Sequence, residues 1–597
     1  MSWPHTINGI FLKNWDTRTH EVTHYSKVNG QWIPHSWADG REQTQQVGLV
    51  LRELGVHAGV PVAILASTRY EWLLIDSAIL GIGGVVVGLY PTSTPDQLEY
   101  CLAHSGAQIL TVENKNLLTR LLPHLDNLPL LRVVVVMEGE LIDIPGRVVM
   151  SMNQVLTRGR ELLREEPDTF RHLAEAVKPE DPATFIYTSG TTGHPKGAIL
   201  THGNFYTVVA SVQQVMPLAA GQVGVAFLPL AHALQRFASY QASMYGFRGY
   251  FAPGLDKVIE TLEEVKPNTM GAVPRIMEKM YTRVMATVAE ANPRRQKLFY
   301  RALAVGEKRG TYIEAGKPVP LWLELQWKLF DKLVFQRIKA KLGGNITQLI
   351  SGGAPLAPEI TRFFLAIGIL VLEGYGLTET TAPATLNTPT HFRIGTVGKP
   401  LPGTHIKIAP DGEVLIKGPG VFGGYYKNDE ATREAFTEDG YFRSGDIGSI
   451  DSDGFLKITD RKKDIIITAA GKNIAPQEVE NKLKGIRWIA NAMLHADRRP
   501  YCVALLTLDK EEIKEHFRAA GREMPERPEE DPEVGALVES GVAEVNKKVG
   551  SHETIKKWRL LPSDFSVEGG ELTPTLKLKR RVLEQRHKGL LDSMYLL

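Results

Sequence analysis

The sequence predicts an α/β protein built on buried, largely parallel sheets. Short runs of consecutive apolar residues recur early in the chain: VAILA at 62–66, VVVGL at 85–89, QILTV at 108–112 and LRVVVVM at 131–137. Segments with helical spacing alternate with them, at 71–80 and 95–106. Strands covered on both faces read as continuous apolar runs, and their alternation with helices is the pattern of a parallel sheet. A third observation is a change of texture. From about residue 395 the stretches VGKPLPGTHIKI, DGEVLIKG and DGFLKITD read as a β-rich, turn-rich region. From about 461 the chain reads as shorter-range α+β and ends in helices.

Between these regions, residues 276–342 read as a helical insertion, with IMEKMYTRVMATVAEA and LWLELQWKLFDKLVFQRIKAKL both amphipathic. Packing of their apolar faces on the main body is the expectation. A membrane-surface role for the second is the alternative, because Lys and Arg stand opposite Trp and Phe. The charged, proline-bearing PERPEEDPE at 525–533 reads as a surface loop.

Composition narrows the function classes. Lys plus Arg number 69 against 67 for Asp plus Glu, so no global charge bias points to nucleic acid or membrane. Cys101 and Cys502 fit neither a metal spacing nor a disulfide framework and read as buried small apolar residues, which suits a reducing compartment. The first twenty residues lack the basic-then-apolar pattern of a signal peptide. The apolar AILGIGGVVVGLY at 78–90 falls short of the roughly 18–20 residues a membrane span needs. It reads as a buried helix end running into a strand. The expected location is cytoplasmic, with peripheral contact to the inner face of a membrane left open.

The chemistry begins at YTSGTTGHPKG, residues 187–197. A strand-like run precedes it and AILTHGNFYTVVASVQQV, with helical spacing, follows it, so the expected order is strand, glycine loop, helix. It is neither a Walker loop nor a dinucleotide fingerprint. Gly190, Gly193 and Gly197 permit close backbone approach. Thr188, Ser189, Thr191 and Thr192 can donate to phosphate oxygens, and Lys196 supplies charge.

This wording resembles the nucleotide loop of the adenylate-forming superfamily of acyl-CoA synthetases, peptide adenylation domains and luciferases. Further blocks stand in the family's order: VLEGYGLTETT at 371–381, YFRSGD at 441–446, TDRKKDIIITAAGKNIAPQEVE at 459–480 and GELTPTLKLKRR at 570–581. The resemblance runs from about residue 40 to 590. LPLAH, DRKKDIIIT, GKNIAP and ELTPTLKLKRR are closest to the long-chain fatty acyl-CoA synthetase branch.

The resemblance implies a large N-terminal domain, 1–459, of stacked, mainly parallel α/β sheets plus a β-rich subdomain, and a small mobile α+β C-terminal domain, 460–597. It implies a ligase that uses ATP, Mg²⁺ and CoA to convert a fatty acid to acyl-AMP plus pyrophosphate and then to acyl-CoA plus AMP. Residues carry over one by one. Glu379 would bind the metal, with Thr191 as a second ligand, and Thr378 would donate to the α-phosphate. Tyr375 would stack on adenine beside Gly376, with Gly352, Gly353 and Ala354 as backbone wall. Asp446 and Arg461 would hold the ribose. Lys577 would reach the reacting carboxylate and α-phosphate, with Lys579 as runner-up, and residues 460–463 would be the hinge that moves it. His232 would lie near the acyl carboxylate and Gly471 beside the thiol passage, where Ala470 replaces a frequent Gly. Some relatives gate the acyl tunnel with Trp; here no Trp lies between Trp72 and Trp322, leaving Phe237, Tyr240 or another side chain.

Rival readings remain open at this stage. One is an acyl-AMP ligase loading a carrier protein, against which GKNIAP and the basic Lys547, Lys548, Lys556 and Lys557 favour a soluble phosphorylated thiol. Others are a luciferase-like oxidoreductase and a non-catalytic nucleotide-binding protein. Chain-length preference and oligomeric state, homodimer included, are not legible.

Overall fold

The structure is a computed structural model that describes residues 3–188, 194–254, 257–573 and 577–596. Its largest sheet takes the early apolar runs as strands β1 (Pro61–Leu65), β2 (Val85–Leu89), β3 (Ile109–Val112), β4 (Val133–Val136) and β5 (Val148–Ser151), followed by β6 (Pro182–Thr188) and β7 (Lys196–Thr201). Their order is β5-β4-β3-β1-β2-β6-β7, parallel except for the final β6–β7 pair. Every residue of β2, β3 and β4 is buried, which is why no polar alternation marks them. The 78–90 segment is the end of helix Tyr70–Gly81 running into β2, as expected.

The glycine loop departs from expectation. Residues 196–201 form β7 antiparallel to β6, and helix α1 (His202–Val215) starts only afterwards, where Thr201 caps it by accepting from the Asn204 amide. The apolar AIL of this stretch is strand because it pairs with β6. The loop therefore closes a hairpin and does not open a helix. Its residues 189–193 lie outside the described residues.

A second sheet carries β8 (Thr269–Ala272), β9 (Gln348–Ser351), β10 (Leu370–Leu377) and β11 (Ala382–Leu386), parallel through β10 and antiparallel after it. Helix α2 (Ala233–Tyr245) lies between the sheets. The β-rich region is an antiparallel sheet of β12 (His405–Ile408), β13 (Glu413–Lys417), β14 (Phe442–Ile450) and β15 (Leu456–Arg461). Beyond it stand a three-stranded sheet, β16 (Ile489–His495), β17 (Cys502–Leu508) and β18 (Ile555–Leu561), and helices packed on two apolar clusters of their own. Cys101 and Cys502 are both buried.

The insertion forms helices α3 (Pro274–Ala289), α4 (Pro293–Glu314) and α5 (Leu321–Phe330), then a widened π turn at Asp331–Phe335. Packing on the body is only half of the outcome. Leu323 and Phe335 are fully buried and the Trp327 indole donates to the Ala366 carbonyl at 2.8 Å. The opposite face of α5 is exposed. Among the described residues no helix is long and apolar enough to cross a membrane.

Candidate active site

Glu379 stands on a tight turn that its neighbours force. Strand β10 ends at Leu377, and the chain reverses through Thr378–Thr380 into β11. Thr381 and Ala382 both take left-handed backbone angles, φ 58° and 74°. Such a pair of non-glycine residues is strained and persists only where its surroundings hold it. Here the Thr381 hydroxyl donates to the Gly420 carbonyl at 2.7 Å and the Phe422 amide donates to the Glu379 carbonyl at 2.8 Å. Gly376 makes the turn possible, since a Cβ there would sit 1.7 Å from the Ala382 carbonyl oxygen. The outcome is a carboxylate held at the wall of a cavity of about 1630 Å³. Tyr425 fixes it by donating from its hydroxyl to Glu379 Oε1 at 2.9 Å, and the Lys196 ammonium lies over the Tyr425 ring, 5.2 Å from its centroid.

A second carboxylate lines the same cavity. Asp446 on β14 faces Arg461 on β15 across the ladder, with Arg461 Nε 3.6 Å from Asp446 Oδ1. The Tyr375 hydroxyl donates to Asp446 Oδ2 at 2.6 Å. Burial raises the Asp446 carboxyl above the ordinary range, while Arg461 and the Tyr375 hydrogen bond oppose that shift. Gly353, at φ 85°, turns the chain after β9, and Ala354 follows it along the cavity wall.

Lys577 arrives from the far end of the sequence. It lies in the same cavity, and desolvation pulls its ammonium down to about 8, helped by the nearby Arg461 charge and resisted by Asp446 and Glu379. Lys577 in turn helps depress His232, although burial is the main reason that imidazole falls to about 4. His232 caps α2: its Nδ1 accepts from the Leu234 amide at 3.2 Å, so the remaining proton of the neutral ring belongs on Nε2. Lys579 is shifted by burial alone, with no charged partner contributing.

From His232 the cavity continues along α2. Leu234, Ala238, Gln241, Ala242 and Tyr245 fall on one face and line it. Thirteen residues of helix give that branch a length of about 20 Å. Below, Arg236 and Asp76 form a buried pair: Arg236 Nε is 3.1 Å from Asp76 Oδ1, Arg236 Nη1 donates to the Thr184 hydroxyl at 2.6 Å, and the Tyr240 hydroxyl donates to Asp76 Oδ2 at 2.6 Å.

The family profile for AMP-binding enzymes matches residues 12–426, and the profile for the AMP-binding enzyme C-terminal domain matches 463–596. The chain belongs to the AMP-binding enzyme family. Its relatives include the long-chain-fatty-acid–CoA ligase FadD15 of Mycobacterium tuberculosis, 36% identical over 580 residues and covering 96% of this chain and 94% of that one. The long-chain-fatty-acid–CoA ligase ACSBG2 of Gallus gallus is 32% identical over 99% of this chain and 81% of its own. This AMP-binding enzyme also shares its fold with the adenylation domain of a carboxylate reductase from Mycobacterium chelonae, at 20% identity, TM-score 0.79, and coverage of 99% and 91%. It thus sits in the adenylate-forming superfamily, on the long-chain acyl-CoA synthetase branch.

The AMP-binding enzyme brings most of the expected residues together. Thr188, Lys196, His232, Gly353, Ala354, Tyr375, Gly376, Thr378, Glu379, Asp446, Arg461 and Lys577 all line one cavity. Ser189, Gly190, Thr191, Thr192 and Gly193 lie outside the described residues. Gly471 is not brought there: it sits exposed, at φ 73°, on a hairpin tip whose short strands are Ile466–Ile467 and Asn473–Ile474. Tyr240 is not an acyl gate, because its ring is core and its hydroxyl is committed to Asp76; Phe237 does line the cavity. Sequence reasoning missed Tyr425, whose only signal was an aromatic pair after two glycines in GGYY.

Proposed function

We propose that this enzyme is a long-chain fatty acid:CoA ligase that forms acyl-AMP from ATP and then acyl-CoA. The observation that carries the reading is the meeting of Lys577 with Glu379, Asp446 and His232 at the mouth of an apolar branch about 20 Å long. The relatives named as long-chain ligases support it.

In the first step a carboxylate oxygen attacks the α-phosphorus and the bond to pyrophosphate breaks. Two anions must meet, so the barrier is largely electrostatic. Lys577, charged below about 8, reaches both reactants. His232, neutral, offers its Nε2 hydrogen to a carboxylate oxygen. Asp446 accepts from the ribose hydroxyls, Tyr375 packs on the base, and Thr378 with the 188–196 loop holds phosphate oxygens. Mg²⁺ would be held by Glu379, which the Tyr425 hydroxyl fixes at the cavity wall. When bound, it neutralises phosphate charge. In the second step a thiol attacks the acyl carbon, the acyl–phosphate bond breaks, and AMP leaves. Lys577 blocks that approach until the C-terminal domain turns about residues 460–463; Gly471 would then move toward the passage.

The test is AMP release with a panel of fatty acids from medium to very long chain, with and without CoA. CoA-dependent release that is greatest with long chains is expected; absence of release with every fatty acid would sink the reading. A carrier-protein acceptor is the second reading, favoured by likeness to a solved adenylation–carrier didomain of a carboxylic acid reductase from Segniliparus rugosus, TM-score 0.76 at 19% identity. Thioester formed only on a holo carrier protein, and never on free CoA, would establish it.

A further inference from the structure

We propose that the outer face of α5 and the π turn after it is a docking surface for an anionic lipid bilayer. Leu321, Trp322, Leu325, Leu329 and Leu333 are 76%, 51%, 60%, 57% and 47% exposed. Single exposed leucines are unremarkable, but five large apolar side chains in one row are not. Leu321, Leu325, Leu329 and Leu333 recur every four residues, and the widened turn at Asp331–Phe335 offsets the drift that an unbroken α-helix accumulates over such steps.

Charge selects the occupant. Residues 293–342 hold twelve Lys and Arg against four Asp and Glu, a net charge of +8 in a chain whose total is +2. Three of the four acids are committed to other groups, and the fourth, Glu307, is exposed on α4. Glu324 is spent on Arg309 at 2.7 Å, Asp331 on Lys339 at 2.6 Å, and Glu314 accepts from the Ile394 amide at 2.9 Å. Lys328, Lys332 and Arg337 are exposed beside the leucines, and none has an ion-pair partner among the described residues. Lys308 lies over the Trp322 ring, 4.9 Å from its centroid. An apolar row with an indole, rimmed by unpaired cations, is the chemistry of a helix lying in a negatively charged headgroup layer. A second copy of this chain would bring the same +8 segment against itself. The inference stands whether or not the proposed reaction is right.

The test is co-sedimentation of the full chain with vesicles of equal parts phosphatidylglycerol and phosphatidylcholine, against vesicles of phosphatidylcholine alone. Binding to the anionic vesicles, weakened by salt and at least tenfold weaker to the neutral ones, is expected. Leu325→Glu with Leu329→Glu should lose at least tenfold in binding, and Lys328→Glu with Lys332→Glu should lose as much. Both double variants should keep wild-type circular dichroism and wild-type ATP binding. Failure of the wild type to sediment with anionic vesicles overturns the proposal, as does wild-type sedimentation by both double variants. So does a dimer in light scattering that Leu325→Glu with Leu329→Glu splits while vesicle binding persists, since the face would then join copies of the chain.

Discussion

Tyr375 donates its hydroxyl hydrogen to Asp446 Oδ2 at 2.6 Å, joining the end of one sheet to the β-rich region beside it. That bond fixes a buried carboxylate in the cavity wall, where on the proposed reading it would accept from the ribose. Tyr375→Phe keeps the ring but removes the donor. A hydrogen bond to a charged group contributes about 1.5–3 kcal/mol. The expected result is a rise in KM for ATP of roughly tenfold or more with a smaller change in kcat, read by pyrophosphate release at varied ATP.

Lys577→Ala should cut acyl-AMP formation by at least about a hundredfold while ATP still binds, because one preorganised charge at such a site is worth several kcal/mol. Lys579→Ala should change it by less than about threefold, because burial is what shifts Lys579, whereas Arg461, Asp446 and Glu379 all act on Lys577. Pyrophosphate exchange and equilibrium nucleotide binding distinguish the two. Equal loss in both variants would refute the assignment.

The pH profile follows from two depressed groups. Lys577 titrates near 8, below its ordinary value, so the working cation disappears as pH rises through that point. His232 titrates near 4 and is neutral above it. The kcat/KM of acyl-AMP formation, which reports the free enzyme, should therefore hold level near neutrality and fall above about 8. Lys577→Arg should flatten that upper limb even if its rate is lower, since a guanidinium stays charged.

Ala238 and Ala242 offer a handle on chain length, because both line the apolar branch on one face of α2. Ala242→Phe places a ring in the distal half. Activity with very long chains should drop by at least about tenfold and that with medium chains by less than about threefold, given about 0.8 kcal/mol per buried methylene. Competition assays with mixed fatty acids measure the shift in optimum.

Asp76→Ala strands the Arg236 charge in the core. Breaking such a pair costs about 3–5 kcal/mol. The midpoint of urea unfolding should fall accordingly, whereas Arg52→Ala, which removes an exposed partner of Glu166, should cost less than about 1 kcal/mol.

Much of the site was legible because its residues come in contiguous blocks whose chemistry needs fixed neighbours. Gly376 and Glu379 must share one turn, and Asp446 and Arg461 must share one ladder, so short motifs suffice to name them. The parallel sheet was legible from buried apolar runs. Other features depend on partners distant in sequence. β7 read as helix because AILTHGNF has helical spacing, and only pairing with β6 makes its start a strand. Tyr240 was a candidate gate until Asp76, 164 residues away, claimed its hydroxyl. Tyr425 gave no local sign of its bond to Glu379. Amphipathicity of α5 was visible, but not that both of its faces would be apolar.

Arg236 has one more consequence. Its guanidinium grips Thr184 on β6, the strand that leads into the glycine loop, while its own helix floors the branch for the acyl chain. On the proposed reading the two substrates would rest on parts joined through this hydrogen bond. An acyl chain too bulky for that branch would then press on the helix that holds the strand leading into the glycine loop, so that poor fit at one end would be felt as misalignment at the other.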